Sequence, residues 1–187
     1  MLFASCSQTT PSPIIFGLET GTVTTEEQEL VPLAHFREAG YTQLFLIPVG
    51  VPNPDPAGLP LDLESRKRAV AAGTYAQGFE PQVILSPEGA VGTFMSNNVH
   101  MSGSALQQPY AATLSMEELG QRIRQDHAGK RIVVIATIDQ FEDLVPVVMP
   151  DVEFAWPPEG EHGLLYLSSN GQESSVQPFA VVTEWEE

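Results

Sequence analysis

Basic residues are scarce in this sequence. Of its 187 residues, eight are Lys or Arg and 24 are Asp or Glu, so the formal net charge is −16. Nucleic acids, anionic membrane surfaces and phosphate-rich ligands all need a positive patch on their protein partner. The charge therefore disfavours these partners, and we expect no nucleic-acid binding. The alternative is that the acidic residues only form a solvated surface shell, because net charge affects solubility more than fold.

Cysteine is nearly absent. Cys6 is the one cysteine, which excludes an intrachain disulfide. The residues Leu2-Phe3-Ala4-Ser5-Cys6 resemble the end of a bacterial lipoprotein signal, which makes Cys6 a lipidation candidate and predicts a periplasmic or outer-surface location. Only five residues precede Cys6, whereas a secretory leader needs a basic segment and ~7–15 apolar residues. An ordinary N-terminus on a cytoplasmic protein is the alternative.

Long apolar runs are also missing. No stretch approaches the ~20 apolar residues of a transmembrane helix, although apolar residues make up 42% of the chain. This length and composition suit one soluble globular domain with a real core. We therefore predict an N-terminal tether over residues 1–13 and a single domain over residues 14–187.

The sequence alternates short apolar segments with helical patterns. Strands are predicted over 13–18, 44–47, 82–85, 132–136, 164–168 and 176–183, and helices over 24–39, 64–77, 115–126 and from 137 to near 146–150. Capping-box patterns open the first and third of these helices. Asn170-Gly171 predicts a hairpin between the last two strands. The segment 88–110 is ambiguous: Gly89, Gly92 and Gly103 interrupt it, while residues 93–96 could form a helical turn.

This order predicts an α/β fold of three layers, α/β/α. The strands are apolar without alternation, as buried parallel strands are, so the central sheet should be mostly parallel with a C-terminal antiparallel hairpin. Residues 14–41 then form an added βα unit. In open α/β sheets ligands bind outside the C-terminal ends of the strands, so Thr137, directly after the strand 132–136, marks the place of a site.

Four segments together carry a resemblance to a known family. They are a strand at 44–47 with the helix start LPLDLESRKR (59–68), the strand and loop VILSPEGAVGT (83–93), the turn HAGK (127–130) with its strand and Ala136-Thr137-Ile138, and the tail EHGLLYL (161–167). In order and spacing they resemble the histidine phosphatase (phosphoglycerate mutase-like) superfamily, most of all its short bacterial members. The resemblance runs from about residue 42 to residue 179.

The resemblance also implies where catalytic residues should lie. In the family an Arg-His pair ends the first strand and its histidine is phosphorylated, while a second arginine and a second histidine bind the phosphoryl group. These positions fall on Pro48, Val49, Ala90 and Thr137. A second register, in which Phe16-Gly17 takes the place of the Arg-His pair, lacks both residues too. We therefore predict no catalytic residue of the family type, no cofactor and no metal site.

Physical chemistry supports that prediction. Phosphoryl transfer depends on cationic donors placed around a spreading negative charge, and proline and valine supply neither a donor nor a nucleophile. All eight basic residues are predicted to lie on helices or in the turn before 132, and none at the C-terminal end of a strand. An arginine or histidine reaching this edge from elsewhere in the chain would contradict the interpretation.

A set of mostly uncharged residues could line the cleft instead. The candidates are Ser86, Thr93, Asn97, Asn98, His100, Thr137 and Asp139. They predict a binding or structural module whose ligand is a neutral small molecule or a protein. The alternative function is a hydrolase of different chemistry that uses Asp139 and His100 with a divalent cation. Asp139 at a helix start also favours the helix dipole, which accounts for it without a metal.

The four histidines, His35, His100, His127 and His162, are too scattered for a metal-site spacing. We expect His35 on an exposed helix face and His127 in an exposed turn.

Overall fold

A computed structural model describes residues 11–55, 58–100 and 105–182 of the chain. Cys6 and residues 1–10 of the predicted tether lie outside these ranges, so the predictions of lipidation and of a tether remain predictions. Within the described ranges no helix has the length and apolar character needed to cross a membrane.

The described residues form nine strands, four helices and one short turn of 3-10 helix. The strands are β1 (Ile15–Glu19), β2 (Thr22–Thr25), β3 (Leu30–Pro32), β4 (Thr42–Pro48), β5 (Val83–Pro87), β6 (Leu106–Tyr110), β7 (Arg131–Ala136), β8 (Gly163–Ser169) and β9 (Ser174–Ala180). The helices are α1 (Leu63–Gly78), α2 (Ala90–His100), α3 (Met116–Asp126) and α4 (Ile138–Val148), and the 3-10 turn is Gly160–His162.

Six of these strands form the central sheet, in the order β6-β5-β7-β4-β8-β9. The first four are parallel, β8 is antiparallel to β4, and β9 pairs with β8 as the predicted hairpin. The Asn170 side chain accepts hydrogen bonds from the backbone N–H groups of Gln172 and Glu173, which closes the hairpin turn. The predicted α/β class, the mostly parallel sheet and the C-terminal hairpin are confirmed.

Two apolar layers cover the two faces of this sheet. Phe45 and Ile47 of β4 pack with α1 and α2, whereas Leu44 and Leu46 pack with α3 and α4. Each of these four side chains is at most 2% exposed. A strand that buries both of its faces has no polar positions to alternate with, which is why this sequence is apolar throughout.

The prediction of a helix over 24–39 is wrong. The added unit is a three-stranded antiparallel sheet, β1-β2-β3, instead of the predicted βα unit. Thr20 and Gly21 have φ angles of 47° and 73° and turn the chain between β1 and β2. The sequence TVTT of β2 is rich in β-branched residues, which favour strands, and Pro32 would break a helix at this position. Local strand propensity and turn chemistry thus outweigh the capping-box pattern.

The ambiguous segment 88–110 contains helix α2 and edge strand β6. Gly92 does not break the helix; it lets the helix approach β5, because a Cβ there would lie 1.8 Å from the carbonyl oxygen of Pro87. Pro109 lies in β6, which is an edge strand and can accommodate a residue without an N–H.

Candidate functional site

The C-terminal ends of β4 and β7 lie side by side. Pro48 pairs with Ala136, and the backbone N–H of Val49 donates to the carbonyl oxygen of Ala136 at 2.8 Å. Val49 and Thr137 are therefore neighbours at the edge where an α/β sheet binds ligands. The other register considered, at Phe16-Gly17, falls on β1, which belongs to the separate three-stranded sheet.

Thr137 has a structural role at this edge. It is the N-cap of α4: its Oγ1 accepts a hydrogen bond from the backbone N–H of Gln140 at 3.3 Å. The Gln140 side chain accepts in return from the backbone N–H of Thr137 at 2.9 Å. This reciprocal capping box satisfies donors that a helix start leaves unpaired. The polar residue after the strand is thus explained by the helix that follows it.

Arg68 is the residue that sequence reasoning missed. It lies in the second turn of α1, yet it lines a small cavity together with Pro48 and Gly50. Its guanidinium donates to Glu161 at 2.6 Å and to the Ser65 hydroxyl at 3.0 Å, and its side chain is 14% exposed. Arg68 lies on a helix, as predicted, but its side chain reaches the C-terminal end of β4, where no basic group was expected. Because it is paired with Glu161, it does not present a free cation there.

The cavity beside Arg68 is nearly filled by protein. Its volume is ≈ 10 Å³, about enough for one water molecule. The Ser65 hydroxyl accepts a hydrogen bond from the backbone N–H of Val51 at 2.8 Å, and a Cβ on Gly50 would lie 2.6 Å from the Cβ of Ser65. Helix α1 therefore packs directly against the loop that leaves β4.

Acidic groups dominate the charge around this edge. Glu161 neutralises Arg68, and exposed Glu88 and Asp139 follow β5 and β7. Asp62 caps α1, and the backbone N–H of Ser65 lowers the pKa of its carboxyl by bonding to the charged form. This arrangement repels phosphate rather than attracting it.

The predicted cleft-lining residues do not all meet. Ser86, Thr93, Thr137 and Asp139 lie at or near the C-terminal ends of β5 and β7, with Ser86 buried. Asn97, Asn98 and His100 lie in the last turns of α2, which runs back toward the opposite edge, where β6 begins. In addition, α2 covers one face of the sheet and α4 the other. The structure therefore does not bring His100 and Asp139 together, which corrects the pairing in the alternative hydrolase prediction.

A polar cluster elsewhere resembles a nucleophile, base and acid. His35 Nδ1 lies 3.0 Å from the Ser168 hydroxyl, and His35 Nε2 lies 3.6 Å from a carboxylate oxygen of Glu173. His35 also stacks on Tyr41 at 4.0 Å. Because Ser168 is 0% exposed, no substrate can reach it as a nucleophile. The cluster holds the loop after β3 against the hairpin, and His35 lies in this loop with φ 56° rather than on the predicted helix.

His127 is buried, which contradicts its predicted place in an exposed turn. As the C-cap of α3 it lies against β6, with Nε2 at 2.8 Å from the side-chain oxygen of Gln108. The Lys130 ammonium lies 3.3 Å from its Nδ1. Burial, and then the charge of Lys130, lower the pKa of His127. The histidine is an internal hydrogen-bonding group, held neutral.

No group of three His, Cys, Asp or Glu side chains that could hold a metal ion occurs among the residues described.

Two solved structures share this architecture. One, assigned as a phosphohistidine phosphatase, SixA, from Nakamurella multipartitia, superposes with a TM-score of 0.55 at 13% identity and covers 74% of this chain and 95% of its own. The chain has the histidine phosphatase fold. A phosphoglycerate mutase from Plasmodium falciparum gives a TM-score of 0.50 at 9% identity, covering 73% of this chain and 89% of its own. No protein-family model and no curated protein sequence matches the chain.

The histidine phosphatase fold confirms the resemblance expected from the four sequence segments. Nearly the whole length of the SixA structure is matched, while about a quarter of this chain lies outside the match. At these identities the likeness is one of fold alone.

Proposed function

We propose that this chain is a histidine-phosphatase-like domain without phosphoryl-transfer activity, which acts as a binding or structural module. One observation supports the proposal most. The positions that the family uses for catalysis fall on Pro48, Val49, Ala90 and Thr137, and none of these residues carries a guanidinium or an imidazole.

Arg68 does not replace the missing donors. Its guanidinium is already bound to Glu161 and Ser65, so its charge is not available to a phosphoryl group. Loss of one oxyanion-type donor typically costs ~10²–10³-fold in rate. Here the expected nucleophile is absent as well, since neither Pro48 nor Val49 has a side-chain lone pair.

The exposed rim of the edge supports a role in binding rather than in catalysis. Thr93 and Thr137 are exposed and uncharged, so an uncharged ligand or a partner protein suits this surface better than a phosphate ester. The alternative hydrolase has no such support, because His100 and Asp139 lie on opposite faces of the sheet.

An aryl-phosphate hydrolysis assay tests the proposal. Purified full-length chain is incubated with p-nitrophenyl phosphate, with and without Mg²⁺, Mn²⁺ or Zn²⁺. We expect no turnover above the buffer blank under any of these conditions. Arg68→Gln and Asp139→Asn test the two charged groups at the edge, and Arg122→Gln, on the exposed side of α3, is the matched control. Turnover that disappears in Arg68→Gln or Asp139→Asn but survives in the control would contradict the proposal.

A further inference from the structure

An open apolar groove lies on the outer side of α1, away from the edge described above. Its volume is ≈ 570 Å³, within the ~300–1,000 Å³ range of ligand pockets. Its walls come from β1, α1, α2 and the loop before α1, and they consist of Phe16, Leu59, Arg66, Lys67, Val70, Ala71, Thr74, Tyr75 and Phe94. None of these residues lines the small cavity beside Arg68.

The groove leaves several large apolar side chains about half exposed or more. Phe16 is 66% exposed, Leu59 51% and Val70 47%, and the neighbouring Leu63 is 57% exposed. Scattered apolar residues on a surface are ordinary, but several around one concave groove indicate an interaction site.

The charged side chains that line the groove are basic, although the chain as a whole is acidic. The protein has 24 acidic and eight basic residues, yet none of the described lining residues is acidic, and Arg66 and Lys67 are both basic. Lys67 pairs with Glu64 at 3.0 Å. Among the described residues Arg66 forms no ion pair; its Nε donates only a long hydrogen bond, 3.4 Å, to the backbone carbonyl of Asp62.

From this combination we infer that the groove binds a peptide segment of another protein, and that the segment presents large apolar side chains and at least one carboxylate. The apolar side chains occupy the space between Phe16, Val70 and Phe94, and the carboxylate pairs with Arg66. Lys67 is already paired with Glu64, so Arg66, which lies near the Asp62 carboxylate but has no ion-pair partner among the described residues, is the cation that contacts the carboxylate of the segment. An anionic membrane surface would meet a molecule with a net charge of −16 and is disfavoured. The inference gives the proposed binding module a surface, but it does not depend on whether the edge beside Arg68 is catalytic.

Selection from a random-peptide phage library on the immobilised full-length chain tests the inference. Val70→Asp and Arg66→Glu alter the apolar wall and the charge of the groove separately. Leu106→Asp is the matched control, because Leu106 is 53% exposed on β6, outside the groove. Circular dichroism and thermal unfolding verify that each variant is folded, and Phe16→Ser replaces Val70→Asp if that variant is not.

We expect enriched peptides to combine at least two large apolar residues with an acidic residue. Their affinity, measured by fluorescence anisotropy, should fall about tenfold or more in Val70→Asp and in Arg66→Glu, and stay unchanged in Leu106→Asp.

The inference is overturned if no peptide family is enriched over Val70→Asp. It is also overturned if the enriched peptides lack acidic residues and bind Arg66→Glu as tightly as the wild type. Self-association abolished by Val70→Asp, seen by sedimentation, or binding to phosphatidylglycerol vesicles would assign the groove to a second copy or to a membrane and overturn it too. The hydrolysis assay is independent of all these results.

Discussion

Among single residues, His127 shows how position changes the chemistry of a side chain. Its ring is buried between α3 and β6, where Gln108 and Lys130 contact its two nitrogens. Because Lys130 can only donate, Nδ1 accepts and Nε2 carries the proton that is donated to Gln108. This neutral tautomer satisfies every polar atom of the ring, and a second proton would leave Nδ1 facing an ammonium group.

His127 therefore gives the free energy of unfolding a specific pH dependence. Its folded-state pKa is lowered, so its contribution to stability is complete above the unfolded-state pKa of about 6.5 and is lost as the pH falls below it. We expect the wild type to lose more free energy of unfolding between about pH 7.5 and about pH 5.5 than His127→Asn does, as measured by urea denaturation. His162→Asn, at an exposed site, should keep the wild-type dependence. Equal pH dependence in the wild type and His127→Asn would show that the histidine is not held neutral.

Arg68 shows what residue-level sequence reasoning could have found. It lies three residues after Ser65 and one before Ala69, and both of these are buried. Residues three apart share one face of a helix, so the sequence places Arg68 beside the inward face of α1. The pairing of Arg68 with Glu161 joins residues that are 93 positions apart in the sequence. The crossing of α1 over the end of β4 likewise depends on tertiary contacts. No local pattern contains that information.

At the start of helix α4, the capping role of Thr137 can be tested separately from any role in ligand binding. Thr137→Ala should lower the free energy of unfolding by about 1 kcal/mol, within the ~0.5–2 kcal/mol range of lost N-caps, because the N–H of Gln140 loses its acceptor. Urea denaturation measures the change, and Thr137→Ser, which keeps the hydroxyl, should remain close to the wild type. If Thr137→Ala were as stable as the wild type, the capping role of Thr137 would be refuted.

The strands and helices also differ in how well they could be predicted from the sequence. Segments 44–47 and 132–136 were predictable because each is buried on both faces, and the capping box at Ser115 correctly opened α3. The similar pattern at Thr24 failed because the turn at Gly21 and the strand-favouring residues of β2 outweighed it. Of helix α2, the sequence indicated only a possible turn at 93–96. Its full length was not predicted, because Gly92 was taken as a helix breaker, whereas in the structure it allows close packing against Pro87.

At the scale of the whole molecule, two buried apolar layers on the faces of the central sheet maintain the fold. The fold is shared with a structure assigned as a phosphohistidine phosphatase, but a shared fold does not carry an activity with it. At the C-terminal end of β4, helix α1 packs against the loop that follows the strand. The exposed apolar groove lies elsewhere, on the outer side of α1. It forms where β1, α1 and α2 come together, and it leaves Phe16 and Val70 exposed.

We propose that the C-terminal edge of the sheet does not bind phosphoryl groups. Titration of the full-length chain with inorganic phosphate, followed by isothermal calorimetry and by backbone amide shifts of residues 49–51, 89–92 and 137–139, measures this directly. We expect no saturable binding up to millimolar phosphate, and identical results for the wild type and Arg68→Gln. Saturable sub-millimolar binding that shifts these amides and disappears in Arg68→Gln would contradict it.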